Sequence, residues 1–280
     1  MTSEQTIVDR AFDLIRPFHF RGKLRLASLL APRTGDRAAR VFGYRTRLDV
    51  SEWIQRRIYL GCYEPQHTLA VKRWLRPGMT VVDVGANVGY YTALAAASVG
   101  PAGGVFAIEP GVQAFQRLNN MIASNRIEQA RAFQIGFSNV QGKLKLYEVR
   151  ERLKSLTGAE VDTLSAVGDP NARAFTIEMN TIDNFLDEHH VGDVDLLKLD
   201  AQGHEPQVIA GASKSLREGR IRAIVCEFYG YWLRASGQDP RALWNTLETA
   251  GFVDAERPGS APTFTDNSNH RCFLVLRGAH

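Results

Sequence analysis

The 280-residue sequence is short of cysteine and of long apolar runs, and each shortage excludes something. Cys62, Cys226 and Cys272 are its only cysteines, widely separated and without a C-x-x-C pair. That excludes a disulfide framework and a cysteine-ligated zinc site, and leaves free, buried thiols as the expectation. The longest apolar stretch, Val81 to Gly100, is interrupted by Asp83 and Asn87 and falls short of the roughly 18 uncharged residues of a membrane helix. The opening MTSEQTIVDRAFDLIRPF carries acids early and lacks a continuous apolar run before a small-residue cleavage site, so the expected location is the cytoplasm. Internal repeats, low-complexity tracts and the H-x-x-x-H zinc pattern are missing too, and the adjacent pair His189-His190 reads as helix-end charge.

What is present is an ordinary globular composition, 44% apolar and 23% charged, enough to bury a substantial core. Charge is uneven. Residues 1–60 hold 12 Lys and Arg against 6 Asp and Glu, a net of +6, leaving −2 for the remainder. A basic N-terminal face attracts phosphates, anionic lipid or nucleic acid, or is a solvated arginine-rich surface.

Residues 1–47 read as short helices broken at Pro17, Gly22, Pro32 and Gly35, ending in strand-like VFGYRTRLDV. Two helices follow, separated by Gly61 and Pro65 and stopped at Pro77-Gly78. From residue 80 strands and helices alternate. TVVDVG, GVFAIEP, ARAFQIGFSN, VDLLKLD and IRAIVCEF predict strands, and YYTALAAASV, VQAFQRLNNMIASN, TIDNFLDEHH, PQVIAGASKSLREG and DPRALWNTLETAG predict helices. FVDAE and CFLVLR close the chain, and GKLKLYEV with AFTIEMNTI predicts an antiparallel excursion around a polar loop at 150–172. The expected fold class is α/β, a largely parallel sheet covered by helices on both faces.

In such sheets ligands lie beyond the carboxyl ends of the strands. After the first strand stand Asp83-Val84-Gly85-Ala86-Asn87-Val88-Gly89. Gly85 permits close backbone approach and Gly89 close helix packing. A dinucleotide's pyrophosphate wants G-x-G-x-x-G with no anion beside it, and this sequence has neither feature. Glu109-Pro110 ends the second strand, about 20 residues beyond Gly89, where an acid meets ribose hydroxyls. Two acids and two glycines around one nucleoside match S-adenosylmethionine, with Glu109 on the ribose, the Gly85–Gly89 loop (with Ala86 and Asn87) beside the amino-acid moiety, and Asp83 near the sulfonium.

The segments VVDVGANVGYYT, AIEPGVQAFQRLNNMI, TIDNF and LLKLDAQGHEPQVIAGA resemble the FkbM family of S-adenosylmethionine-dependent methyltransferases, from about Ile58 to Phe228. The resemblance implies a Rossmann-like class I methyltransferase: a seven-stranded, mostly parallel sheet whose last strand is antiparallel. It implies O-methylation of hydroxyls on sugars, glycolipids or polyketide-type natural products. The family's small-residue, serine, acid ending of the third strand is met by Gly136-Phe137-Ser138-Asn139, so Ser138 or Asn139 is expected near the adenine, with the acid missing. Its D-x-E/Q-G turn is met by Asp200-Ala201-Gln202-Gly203. The expected organisation is an N-terminal helical, basic extension at 1–57, serving as lid or acceptor or oligomer contact, and a methyltransferase domain at 58–280 with an antiparallel insertion at about 143–180.

Methyl transfer requires an aligned oxygen nucleophile and a proton acceptor. Asp200, His204, Glu205 and Glu227 are the catalytic candidates; the alternatives are a carboxylate capping the Gly203 turn, an exposed loop histidine and, for Glu205 before Pro206, a helix cap. Lys198, mid-strand, needs a carboxylate among Asp200, Asp83 and Glu227. Tyr63, Glu64 and His67 fit a lid over the cofactor or ordinary turn positions, and Tyr229, Tyr231 and Trp232 fit an acceptor-stacking surface or helix packing. Asp200, Glu205 and Glu227 are oxygen donors for Mg2+, which the sequence does not decide, and no metal site is assigned. The expected partner is a small-molecule or glycan hydroxyl acceptor. An RNA or protein methyltransferase is disfavoured by the lack of an N-P-P-Y-type turn, and a non-catalytic cofactor-binding assembly module is the third reading. Peripheral contact through the basic N-terminus and homo-oligomerisation stay open.

Overall fold

The computed structural model describes residues 7–16, 18, 32–152, 160–165, 174–265 and 268–278. Helix α1 (Ile7–Ile15) precedes a hairpin of β1 (Asp36–Val41) and β2 (Tyr44–Asp49), then α2 (Trp53–Tyr59) and α3 (Pro65–Trp74). Phe42 and Gly43 turn the hairpin with φ of 49° and 93°, the left-handed pair that matches strand twist. The hairpin takes up part of the region expected to be helical; the breaks expected at Pro17 and Gly22 lie outside the described residues. Glu52 caps α2 by accepting from the amides of Ile54 and Gln55, and Pro65 opens α3 where no amide donor is needed.

The alternating region runs β3 (Thr80–Val84), α4 (Tyr90–Val99), β4 (Gly104–Ile108), α5 (Val112–Asn125) and β5 (Ala130–Phe133). The chain then leaves the sheet through β6 (Gly136–Phe137), β7 (Gly142–Arg152), β8 (Glu160–Ser165) and β9 (Ala174–Asn180). It returns with α6 (Ile182–Glu188), β10 (Leu196–Leu199), α7 (Glu205–Ala210), α8 (Ser213–Arg217), β11 (Ala223–Tyr229), α9 (Gly230–Ala235), α10 (Pro240–Thr249), β12 (Phe252–Asp254) and β13 (Asn269–Leu276).

The main sheet has seven strands in the order β12-β13-β11-β10-β3-β4-β5. β13 alone runs antiparallel, between β12 and β11. This is the α/β architecture the resemblance implies. Its central strands are apolar almost throughout because helices cover both faces: β10 is buried at every position and β11 at all but its last. One cluster holds α4 and α5 side chains such as Leu94, Val99 and Leu118; the other, across the sheet, holds Phe185, Val208 and Leu247. Cys226 and Cys272 are buried opposite each other on β11 and β13, whereas Cys62 is only half-buried, and none of the three is in a disulfide.

Three expectations change. The single third strand is two, because β6 leaves β5's sheet to pair with β9; a side chain at Gly136 would come within 2.6 Å of the Met179 sulphur. The polar loop at 150–172 contains β8, paired antiparallel with β7, so the insertion is a four-stranded sheet ordered β6-β9-β7-β8. The helix expected after the fourth parallel strand breaks into α7 and α8 at Gly211, where a Cβ would meet the Ser138 carbonyl at 2.0 Å.

Phe185, fully buried, joins the insertion to the main sheet: its ring centroid lies 4.9 Å from Phe133, 5.2 Å from Phe137 and 4.4 Å from His189. His189 is thus packed on aromatic rings at the end of α6. Phe185→Ala is expected to cost about 3–5 kcal/mol of stability, read from the midpoint of urea unfolding. A loss under about 1 kcal/mol would contradict this packing role.

Candidate active site

The turn after β3 is built on left-handed backbone: Gly85, Asn87 and Gly89 have φ of 69°, 50° and 92°. A Cβ on Gly85 would lie 1.9 Å from the Asp200 carbonyl oxygen, so the β3 and β10 turns touch only because the residue is glycine. Gly89 faces α5, where a Cβ would meet Met121 at 2.6 Å and Leu118 at 2.9 Å. From the tip of β4, Glu109 reaches across: Oε2 accepts from the Asn87 amide at 2.8 Å and Oε1 from the Gly111 amide at 2.7 Å. Burial raises the Glu109 carboxyl to about 7, with the two amides and Lys198 pulling the other way.

These residues face a cleft of about 400 Å3. Gly85, Ala86, Asn87, Glu109 and Pro110 form one wall, and Lys198, Asp200, Gln202 and His204 another. Tyr63 and Tyr91 line it, α2 brings Ile54, Gln55 and Ile58, and the insertion brings Leu144, Leu146, Phe175, Ile177 and Met179.

Lys198 is buried and finds its partners on neighbouring tips. It donates to the carbonyls of Gly85 at 2.7 Å and Val84 at 3.1 Å, and its ammonium lies 3.5 Å from Asp83 and 3.9 Å from Asp200. Asp83 faces Lys198 in register, is fully buried, and accepts from the Thr92 hydroxyl at 2.6 Å. It is not among the cleft-lining residues. A buried lysine on the adjacent strand holds the Asp83 carboxylate, since an uncompensated ammonium there is costly, and Asp83 stands one residue behind the cleft wall that Lys198 lines.

The residue that sequence reasoning missed is Arg271 on β13. Buried, it is bonded to Glu64, to Asp200 at 2.9 Å and to its cross-strand neighbour Glu227 at 2.9 Å, and its carbonyl meets the His67 ring at 2.9 Å. Glu64 also accepts from the Tyr91 hydroxyl, so this one guanidinium ties the start of α3 to β10 and β11. Gln202 donates to Asp200 at 2.7 Å and Asn269 to Glu227 at 3.2 Å. Burial acts to raise Asp200, but Arg271 and Lys198 outweigh it and hold the carboxyl down at about 2. Glu227 goes the other way, raised to about 7 by burial and by Asp200 despite Arg271. Neither Glu64 nor Glu227 lines the cleft; both stand behind Asp200 as counter-charges. A legible signal existed: an arginine inside the apolar closing strand demands acids for the same reason as Lys198.

The Asp200–Gly203 turn is held from below by Glu205, whose oxygens accept from the amides of Ala201 at 2.8 Å and Gly203 at 2.9 Å. Burial raises its carboxyl to about 8. Glu205 does not line the cleft; its carboxylate is occupied by the two turn amides. His204 does line it; its Nε2 lies 2.9 Å from the Ser138 hydroxyl, and burial keeps the imidazole below the usual 6.5. Ser138 and Asn139 are not among the cleft-lining residues; β6 turns into the insertion and presents Gly136 and Phe137 to the cleft, with Ser138 behind His204. Tyr229, Tyr231 and Trp232 lie outside the cleft; Trp232 is a buried residue of α9 whose backbone carbonyl packs against the Gly203 turn. Among the described residues no three acids, histidines or cysteines are grouped to hold a metal ion.

A family model described as the Methyltransferase FkbM domain matches residues 83–253, more than half of the chain. No curated protein matches it. Among solved structures, the chain is 16% identical to Methyltransferase FkbM from Methylobacillus flagellatus KT over 96% of this chain and 61% of that one, with a TM-score of 0.44. An rRNA methylase from Streptococcus thermophilus is 12% identical over 75% of this chain and 93% of that one, TM-score 0.43. Fibrillarin from Aeropyrum pernix, with natively bound S-adenosyl-L-methionine, is 14% identical over 88% and 84%, TM-score 0.42.

Arg271→Met leaves Glu64 and Glu227 without their cation and Asp200 with Lys198 alone, and is expected to cost about 3–5 kcal/mol in urea unfolding, with Arg271→Lys recovering only part. Because Asp200 is depressed from 3.8 to about 2, its contribution to stability is complete above 3.8 and disappears as pH falls through about 2. In Arg271→Met that acid transition should move to higher pH. An unmoved transition would contradict the ion-pair role.

Proposed function

The chain belongs to the FkbM family of methyltransferases, and from that premise we propose that it transfers a methyl group from S-adenosylmethionine to a hydroxyl of a sugar, glycolipid or polyketide-type natural product. The observation that carries this reading is the charge of the cleft wall and its backing. Asp83, Asp200 and Glu64 surround two cations, Lys198 and Arg271, with Glu227 beside them pushed toward its neutral form, and Glu109 adds a further acid, charged above about 7, at the tip of β4. Such a surplus favours a cationic ligand and opposes a pyrophosphate. The turn at Gly85 also fits, since close backbone approach is already required there.

On this reading Glu109 accepts from the ribose hydroxyls, the Gly85–Gly89 turn holds the amino-acid end, and Gly136 and Phe137 flank the adenine. When bound, the donor supplies an activated methyl whose leaving group is a neutral thioether. The acceptor's oxygen must then be aligned and lose its proton. Asp200 is ionised on the cleft wall, but a carboxylate held near 2 is a weak base and is better suited to orient the hydroxyl. His204, kept neutral by burial, is the stronger proton acceptor on the same wall. Residues 1–57 form an extension whose α2 contributes to the cleft, and residues 58–280 the methyltransferase domain.

Glu109→Gln is expected to weaken S-adenosylmethionine binding by about 1–3 kcal/mol in calorimetric titration. In the unchanged chain affinity should increase as pH rises through about 7, because the carboxylate is the better acceptor, and the glutamine variant should lose that dependence. Binding that prefers NAD, or is unaffected by the substitution, overturns the assignment. Methyl incorporation into glycans, glycolipids, aglycones and tRNA identifies the acceptor class, with Asp200→Asn and His204→Ala lowering kcat more than donor affinity; transfer to tRNA alone would replace the hydroxyl-metabolite reading.

A further inference from the structure

Ser138 does not line the cleft, yet it is bonded to a side chain that does. Its hydroxyl lies 2.9 Å from Nε2 of His204, 66 positions away in sequence. The backbone fixes both partners. The Ser138 amide donates to the Asn180 carbonyl at 2.8 Å, where β6 meets β9, and its own carbonyl packs so closely on Gly211 that a Cβ there would lie 2.0 Å away. His204 donates its amide to the Ala201 carbonyl at 3.1 Å and accepts from the Val208 amide at 3.1 Å, which seats it at the start of α7. That short helix therefore begins at the imidazole and ends against the serine, and a side chain at position 211 would push it off Ser138.

A hydroxyl has one proton, and where Ser138 sends its proton decides where the histidine keeps its own. Ser138 donates to Oδ1 of Asn139 at 3.2 Å. Its oxygen is left to accept, so Nε2 of His204 carries the hydrogen of the pair. A neutral imidazole protonated at Nε2 is bare at Nδ1. Burial holds the ring below its ordinary 6.5 and so keeps it neutral at pH 7. Nδ1 makes no hydrogen bond among the described residues and is not one of their buried polar atoms without a partner, so it stays accessible on a residue that lines the cleft.

We propose that Ser138 is a positioning residue: by accepting from Nε2 it holds the His204 ring in one orientation and one tautomer, and leaves Nδ1 to take the proton of the acceptor hydroxyl. This role rests on the methyl-transfer reading of the cleft, and gives Ser138 a task other than contact with an adenine. In the step it serves, the O–H bond breaks with its electron pair staying on the acceptor oxygen, and the proton passes to Nδ1. The imidazolium keeps its Nε2 hydrogen on the serine oxygen until water removes the added proton.

The test reads the ring nitrogens of the full chain by long-range proton–nitrogen NMR with labelled histidine, without donor or acceptor, at about pH 8, where the imidazole is neutral. His204→Gln identifies the signals. Nε2 is expected to be the protonated nitrogen and Nδ1 the bare one. Asn139→Asp, whose carboxylate only accepts, should preserve that pattern. Ser138→Ala and Asn139→Leu should admit the second tautomer and move the two nitrogen shifts toward each other. A protonated Nδ1 in the unchanged chain, or the same shifts in Ser138→Ala, overturns the proposal. With whichever of the glycan, glycolipid or aglycone pools accepts methyl, Ser138→Ala should lower kcat about ten- to a hundredfold at unaltered S-adenosylmethionine affinity, and Ser138→Thr, which keeps the hydroxyl, should restore most of it. An unaltered kcat overturns the role, as does a loss of donor affinity in place of kcat, which would return Ser138 to the adenine. Because the nitrogen shifts need neither ligand, the expected tautomer in a chain that methylates none of the pools supports the pairing of Ser138 with His204 and overturns the methyl-transfer reading alone.

Discussion

The site depends on two cations buried among acids at the carboxyl ends of the central strands. Lys198 on β10 and Arg271 on β13 are held by Asp83, Asp200, Glu64 and Glu227. Removing any charge from water is costly, and only mutual pairing in good geometry repays it. The cluster therefore specifies position: it sets the register of β3 against β10 through Asp83 and Lys198, and of β11 against β13 through Glu227 and Arg271. It also ties the α3 turn to the sheet through Glu64.

From that arrangement the division of labour among the carboxylates follows. Asp200, paired with both cations, is the ionised group exposed to the cleft, whereas Glu227 and Glu205, deeper and beside other acids, are pushed toward the neutral form. Four acids that look interchangeable in sequence thus have separate tasks: Asp200 faces the ligand space, Glu227 and Asp83 balance buried cations, and Glu205 holds the turn amides. Close contact of the Gly85 and Asp200 turns brings the β3 and β4 tips, which carry the loop and Glu109, to the same cleft. Helix α2, through Ile54, Gln55 and Ile58 beside Asp49 and Glu52, and the largely apolar face of the inserted sheet line its remaining sides.

Much of this was legible from local pattern. Alternating apolar strands and amphipathic helices predicted the parallel core, and the glycine spacing after the first strand predicted the turn that carries Gly85 and Glu109's partner Asn87. Lys198's need for a carboxylate was legible because a mid-strand ammonium has few other ways to be stable. The hairpin at 36–49, the β8 strand and the break at Gly211 were not, because each is dictated by a contact with a distant segment; Gly211 interrupts its helix to clear the Ser138 carbonyl.

The amino-acid order alone therefore determined the fold class, the family and the loop-and-acid signature at the first two strand tips, since these rest on periodicities and spacings within some thirty residues. It did not determine which carboxylate faces the cleft, that Arg271 joins residues 44 to 207 positions away, or that Gly136 and Phe137, and not Ser138 and Asn139, line the cleft. Those outcomes come from burial and charge balance between segments far apart in the chain, and the energy of a buried charge is a property of its three-dimensional surroundings, not of its neighbours in sequence.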